Sequence, residues 1–215
     1  MYVPAPFRVS EREEMHALMR ARPFATLVSA GPSGLTATHV PTMLKTAEGG
    51  AGVIECHLAR ANPHWKDFVG GLGALMIFHG AEGYIRPGWY PSKARDGKVV
   101  PTWNYATVHA HGRAEAIDDA GWLATHVAEL THQQEHDQPA PWATTDAPQS
   151  FIDILLRNIV GLRFDVERLE ASFKMSQNRE GTDRDGTANG LRVRGQGHDA
   201  ELADLVERLG RTRPR

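Results

Sequence analysis

Cysteine is almost missing from this sequence: Cys56 is the only one in 215 residues. A single thiol excludes an intrachain disulfide and fits a reducing compartment. Within a strand it reads as a small buried apolar residue. Long apolar runs are missing too, and no segment approaches the length of a membrane span. Met1 is followed by Pro4, Pro6 and Arg8 rather than by the apolar run of a signal peptide. The chain is therefore expected to be soluble and cytoplasmic, with no membrane partner. Charge of one sign is also lacking. The formal net charge of -2 neither shows nor excludes the basic face of a DNA-binding protein. No helix-turn-helix and no basic recognition helix is evident, and there is no internal repeat.

What is present is enough apolar material for a core, at 41% hydrophobic residues. The length suits one large domain or a domain with an appendage. Ser10 and Glu13 form a capping box that predicts a helix to about Arg20, with Met15, Leu18 and Met19 on one face. Phe24–Ser29 reads as a strand, Gly31–Gly34 as a turn and Leu35–Leu44 as the return strand. Pro41 marks that strand as an edge or a bulge. After a turn over Glu48–Gly52, Gly52–Leu58 is a third strand. This meander of antiparallel strands tends to close into a barrel. Two short strands are expected at Leu75–Phe78 and from Gly83, then an aromatic loop at Pro87–Pro91 and an exposed charged stretch from Ser92 to Lys98.

The stretch from Val99 to about Ile117 reads as a strand of unusual content. Trp103, Asn104, Tyr105, His109 and His111 bring flat rings and hydrogen-bonding groups where an ordinary strand alternates apolar and polar residues. That mixture suits a planar ligand rich in heteroatoms. Asp118 or Asp119 caps a following helix with an apolar stripe of Trp122, Leu123, Val127 and Leu130. His126, His132 and His136 lie in or just after it, and they read as exposed helix histidines rather than metal ligands. Phe151–Ile159 is a further helix and Val160–Val166 the closing strand. Glu180–Gly197, rich in Gly, Asp, Arg and Thr, reads as mobile. Asp199–Leu209 reads as a short amphipathic helix.

Two further clusters suit a phosphate. Asn62 caps a short helix with Pro63 in its first turn, and Arg60 lies just before it. An arginine forks onto phosphate with paired hydrogen bonds. Lys174, Ser176, Gln177, Asn178 and Arg179 then place two cations, a hydroxyl and two amides within six residues, all able to donate to a phosphate or a ring carbonyl.

Several of these motifs occur together, in order: His57-Leu58-Ala59-Arg60-Ala61-Asn62-Pro63-His64-Trp65, Trp89-Tyr90, Val100-Pro101-Thr102-Trp103-Asn104-Tyr105 with Val108-His109, Ile159-Val160-Gly161, and Lys174-Met175-Ser176-Gln177-Asn178-Arg179. The opening Met1-Tyr2-Val3-Pro4 and Ala37-Thr38-His39-Val40-Pro41 belong to the same set. In this set the chain resembles the PaiB family, FMN-binding negative transcriptional regulators, with His64 in place of an expected glutamine. The resemblance implies a β-rich α+β fold, an antiparallel split β-barrel of the FMN-binding type with peripheral helices over residues 1–178. Residues 179–215 would form a polar C-terminal tail carrying the amphipathic helix. It also implies a homodimer with FMN in a groove at the subunit interface.

On this resemblance the cofactor site is expected to comprise His57, Arg60, Asn62, Trp65, Trp103, Asn104, Tyr105, Lys174, Ser176, Gln177 and Asn178. Arg60 would bind the phosphate, with Lys174 and Ser176 as a second cluster. His57 and Asn62 would shape the pocket, and Trp103, Asn104 and Tyr105 would line the ring or hold the dimer groove. Gln177 and Asn178 would donate to the ring edge. No catalytic residue and no metal ligand is assigned. If DNA is a partner, Arg192, Arg194, Arg208, Arg211, Arg213 and Arg215 are the expected contacts. The competing reading is an FMN-dependent oxidoreductase, a flavin reductase or a relative of the pyridoxamine phosphate oxidases, with His57 or His109 able to move protons. A third is haem binding through His39, His57, His109 or His111.

Overall fold

The computed structural model describes residues 1–32, 34–46 and 50–211, without the Arg211 side chain. Part of each expected turn, residue 33 and residues 48–49, lies outside the described residues, as do Arg213 and Arg215. The strands are β1 (Arg8–Val9), β2 (Phe24–Gly31), β3 (Gly34–Pro41), β4 (Met43–Lys45), β5 (Val53–Ala59), β6 (Leu72–Ile85), β7 (Thr102–Ile117) and β8 (Ile159–Lys174). The α-helices are α1 (Arg12–Ala21), α2 (Ser92–Asp96), α3 (Ala120–Glu135), α4 (Gln149–Leu156), α5 (Gly181–Arg194) and α6 (Asp199–Arg211). Along the sheet the strands run β3-β2-β6-β7-β8-β5-β4, with β1 added on β8. The registers of β1 with β8, β2 with β3 and β6, and β5 with β4 and β8 are all antiparallel.

The chain divides into two compact units. One contains residues 1–15, 79–108 and the chain from Glu170; the other contains residues 16–78 and 109–169. In the second unit, β2 and β3 pair from Phe24 opposite Pro41 down to Gly31 opposite Gly34. Gly34 has φ of +97°, a backbone that a side chain would strain. The expected return strand to Leu44 is in fact two strands. Thr42 alone separates β3 from β4, yet these strands stand at opposite ends of the sheet order. Pro41 cannot donate to a ladder, so the chain leaves one edge there. The buried Thr42 hydroxyl donates to Pro23 O at 2.7 Å and fixes the bend. Consecutive residues thus bridge the two free edges of the sheet, which is how a split barrel closes.

The core of this unit follows strand alternation. Ala25, Leu27 and Ser29 of β2 are buried, as are Ile54, Cys56 and Leu58 of β5 and Val160, Leu162 and Phe164 of β8. Cys56 lies opposite Leu162, and burial pushes its thiol up to about 12, so it is a packing residue and not a nucleophile. Gly161 sits where an added Cβ would collide with the Trp122 ring of α3. Gly161→Ala is expected to cost about 2 kcal/mol by overpacking, read as a lower urea midpoint together with a changed near-ultraviolet tryptophan signal.

Three stretches depart from expectation. The two short strands expected around Phe78 and Gly83 are one 14-residue strand, β6. Its Gly83 is not a break: an added Cβ would stand 2.8 Å from Leu202 of α6, so close packing demands the glycine. The stretch expected to be mobile, Glu180–Gly197, is helix α5 with Asp183, Thr187, Ala188, Gly190 and Leu191 buried. Gly186 and Gly190, one turn apart, leave a groove that Trp89 fills. Ser92, expected to be exposed, is buried; its N–H and hydroxyl both donate to Asp183, at 3.0 and 2.6 Å. The helix expected over Asp199–Leu209 is α6.

Candidate functional site

The expected site residues fall into two groups, one in each unit. In the second unit, β5 delivers His57 and the following turn delivers Arg60, Asn62 and Trp65. Asn62 caps the short helix Pro63–Phe68, accepting from His64 N at 3.1 Å. Trp65 Nε1 donates to Arg60 O at 3.0 Å and ties the turn down. Arg60 is not free to greet a phosphate. Its guanidinium forks onto Asp118 at 2.8 and 2.5 Å and also donates to the carbonyls of Arg157 and Ile159. That fork raises the guanidinium pKa and lowers that of Asp118. Arg60 here clamps the end of β5 to the chain entering β8.

His64 is buried and held on both nitrogens. Nε2 lies 2.9 Å from Ser29 Oγ, and Nδ1 lies 2.8 Å from Thr38 Oγ1. Ser29 Oγ donates to Asp67 Oδ2 at 3.0 Å, and Asn62 Nδ2 donates to Thr38 Oγ1 at 3.2 Å. These four bonds share one consistent direction. Asn62 donates to Thr38, Thr38 to His64 Nδ1, His64 Nε2–H to Ser29, and Ser29 to the Asp67 carboxylate. Burial lowers the His64 pKa, opposed by Asp67, so the ring is neutral at pH 7, as this chain of donors requires.

The sequence places His57 in the shaping of the pocket and His126 on an exposed helix. The structure corrects the second: His126 is 1% exposed. Its ring stacks on Trp122 at 5.0 Å and 12°, and its Nε2 lies 3.1 Å from His57 Nδ1. Trp122 and His126 are one turn apart on α3, so the apolar stripe of that helix carries His126 inward. Burial pushes the His126 pKa down to about 4, helped by the neighbouring His57 and Lys45 and opposed by Glu129. Burial also lowers His57.

In the first unit, β7 presents Thr102 and Asn104 on one side and Trp103 and Tyr105 on the other, by strand alternation. The three residues Trp103, Asn104 and Tyr105 therefore do not line one pocket wall. Asn104 is fully buried, and its amide exchanges hydrogen bonds with Ser176 Oγ at 3.1 and 3.3 Å. Trp103 is 47% exposed, with Tyr84 at 6.1 Å between ring centroids and its Nε1 donating to Glu82. Beyond β8 the chain makes a tight loop. Ser176 adopts φ of +60°, uncommon for a residue with a side chain. Gln177 staples the loop: its Oε1 accepts from Met175 N at 2.7 Å and its Nε2 donates to Phe173 O at 2.5 Å. Gln177 is thus spent on its own backbone rather than aimed at a ligand, while Asn178 is exposed.

Lys174 and Arg179 flank this loop. Lys174 Nζ donates to Thr102 Oγ1 at 2.5 Å, and Arg179 lies over the Tyr90 ring at 4.8 Å. Neither has a carboxylate partner among the described residues. Burial lowers the Lys174 pKa, and the positive charge of Arg179 lowers it further. Two like charges held together without a counter-charge make a seat for an anion. This fits the phosphate of FMN, and the exposed Trp103 and Tyr84 offer aromatic surface in the same unit. The sequence pointed to Lys174; Arg179 stood in the same run, but Thr102 gave no signal beyond its place beside Trp103.

The strand order and the edge-bridging Thr42 define an antiparallel split barrel with peripheral helices. Residues 1–168 match the family described as "Putative FMN-binding domain". The chain belongs to that FMN-binding family, as the PaiB resemblance implied, and its cofactor is FMN. It is 30% identical to the Bacillus subtilis "Protease synthase and sporulation protein PAI 2", across 96% of this chain and 97% of that protein. Its fold is similar to that of the flavocytochrome Anf3 from Azotobacter vinelandii, with a TM-score of 0.54 and 14% identity over 81% of this chain and 70% of that one. It is also similar to an FAD and heme binding protein from Mycobacterium smegmatis, with a TM-score of 0.53 and 12% identity over 78% and 73%.

Proposed function

We propose that this protein is an FMN-binding negative transcriptional regulator of the PaiB type, a cytoplasmic homodimer whose flavin phosphate is held by Lys174 and Arg179. The observation that carries the reading is the pair of cations without a carboxylate partner beside a stapled loop. Thr102 and the Asn104–Ser176 exchange hold the loop in shape before any ligand arrives, so little ordering is left to oppose binding. Trp103, in the same unit, offers an aromatic contact to the ring. FMN, when bound, supplies electron and hydride transfer; the residues of the chain bind and orient it. The regulatory part is supported by the full-length similarity to PAI 2.

A second reading, an FMN-dependent oxidoreductase, is favoured by one feature. The arginines expected to meet DNA are already paired: Arg192 with Asp204 and Glu207, Arg194 with Asp199, and Arg208 with Glu14. The test is an absorbance spectrum of the protein after mixing with FMN and desalting, followed by a gel shift on DNA from upstream of its own gene and by addition of NADH or NADPH. The regulator is expected to retain flavin and to shift DNA without bleaching. Flavin bleaching by either nucleotide with no DNA shift would instead establish the oxidoreductase.

A further inference from the structure

We infer that Tyr90 is a positioning residue for the phosphate seat: the face of its ring holds the Arg179 guanidinium in place without neutralising it. The inference rests on the reading of Lys174 and Arg179 as the seat of the flavin phosphate. All the groups involved lie within the first unit. A carboxylate that fixes an arginine also cancels its charge and occupies its fork of N–H donors. Arg60 is fixed in that way by Asp118. Arg194 lies over the Trp89 ring at 5.0 Å, but it is also forked onto Asp199 at 2.7 and 2.5 Å. Arg179 lies over the Tyr90 ring at 4.8 Å and has no carboxylate partner among the described residues. A ring face attracts a cation through its quadrupole and cancels none of its charge. The fork of Arg179 is thereby left for phosphate oxygens.

The ring is suited to this work because both of its chain neighbourhoods are anchored. Tyr90 is itself 2% exposed. Before it, Trp89 fills the groove left by Gly186 and Gly190 of α5. After it, Ser92 is bound to the buried Asp183 through its N–H and its hydroxyl. Tyr90 N donates to Pro87 O at 3.1 Å, and Tyr90 O accepts from Lys93 N at 3.1 Å. The buried Tyr90 hydroxyl has no hydrogen-bond partner among the described residues. The face of the ring, and not the hydroxyl, is therefore the part that acts on Arg179. Arg179 is half-buried, and a side chain held before its ligand arrives has less rotamer freedom left to lose on binding.

The test uses the full chain, first without flavin. The Arg179 Nε–H resonance, assigned by its loss in Arg179→Lys, is expected upfield of the position of an unstacked arginine, because a ring shields protons over its face. An unshielded resonance in the natural chain would overturn the inference, and this arm needs no variant at position 90 to fold. The second arm compares affinity for FMN with affinity for riboflavin, which lacks the phosphate. Tyr90→Leu is expected to weaken FMN about tenfold, in the range of a desolvated contact between a cation and a ring, and to leave riboflavin unchanged. Tyr90→Phe keeps the ring face and is expected to restore both the shielding and the FMN affinity. A loss in Tyr90→Phe equal to that in Tyr90→Leu would overturn the inference by giving the role to the hydroxyl. Equal losses of FMN and riboflavin in Tyr90→Leu would reduce Tyr90 to a packing residue. The underlying reading fails separately: a natural chain that binds FMN no more tightly than riboflavin would remove the phosphate from this seat. The resonance would still decide whether Tyr90 holds Arg179.

Discussion

Lys174→Ala combined with Arg179→Ala is expected to weaken FMN binding roughly a hundredfold or more. Each charge-assisted hydrogen bond to a phosphate contributes about 1.5–3 kcal/mol. Two of them set against about 1.4 kcal/mol per tenfold in affinity give that range. Stability without flavin should move the other way. Lys174 makes one hydrogen bond, to a hydroxyl, and its charge is opposed by burial and by Arg179, so removing both cations relieves repulsion. Titration calorimetry with FMN and thermal melts of the flavin-free protein read the two effects separately. Loss of affinity with an unchanged or raised melting temperature would assign the pair to the ligand. Unchanged affinity would move the phosphate elsewhere. Arg60→Ala should behave differently. It breaks the fork onto Asp118 and frees two carbonyls, so its first effect is on stability.

The second large effect is on acid tolerance. His126 titrates at about 4 in the folded chain and near 6.5 when unfolded. Between these values the unfolded chain binds a proton that the folded chain refuses, so stability falls as pH falls from about 6.5 to about 4. Over that span the loss is on the order of 3 kcal/mol. Urea midpoints at pH 7, 5.5 and 4 should decline steeply in the natural chain. His126→Phe has nothing to protonate and should flatten the decline. An equal slope in both would mean that the acid sensitivity comes from other groups. His57 shares this direction, since burial lowers its pKa as well, and His57→Gln should remove a further part.

Much of the fold could be read from residue pattern, because β2, β5 and the caps are locally specified. Asn62 and Asp119 both accept from the first turn they begin, as their residue types demand. What misled was glycine. Gly83 in β6 and Gly186 and Gly190 in α5 read as breaks and mobility, but each makes room for a neighbour distant in sequence. Such a neighbour is invisible to local pattern. The same holds for the site. The residue types expected to meet an anion were present at Arg60 and at Lys174, but whether a cation is free depends on where a carboxylate arrives from. Asp118 comes to Arg60 from 58 residues away; among the described residues no such partner reaches Lys174. The inward turn of His126 has a signal in the sequence, its one-turn spacing from Trp122 in the apolar stripe of α3.

The pairing of β5 with β8 has a consequence for synthesis. Val53 to Ala59 pair with Ile159 to Asp165, about a hundred residues later. At about 5–20 residues per second, β5 leaves the ribosome roughly 5–20 s before its partner exists. β4 can fold back on one edge of it at once, but the backbone groups of the other edge stay open for that interval. Such an edge invites pairing with another chain. Yield in the cell should therefore depend on translation speed between residues 60 and 159 and on chaperone supply, in ways that the stability of the finished fold does not reveal.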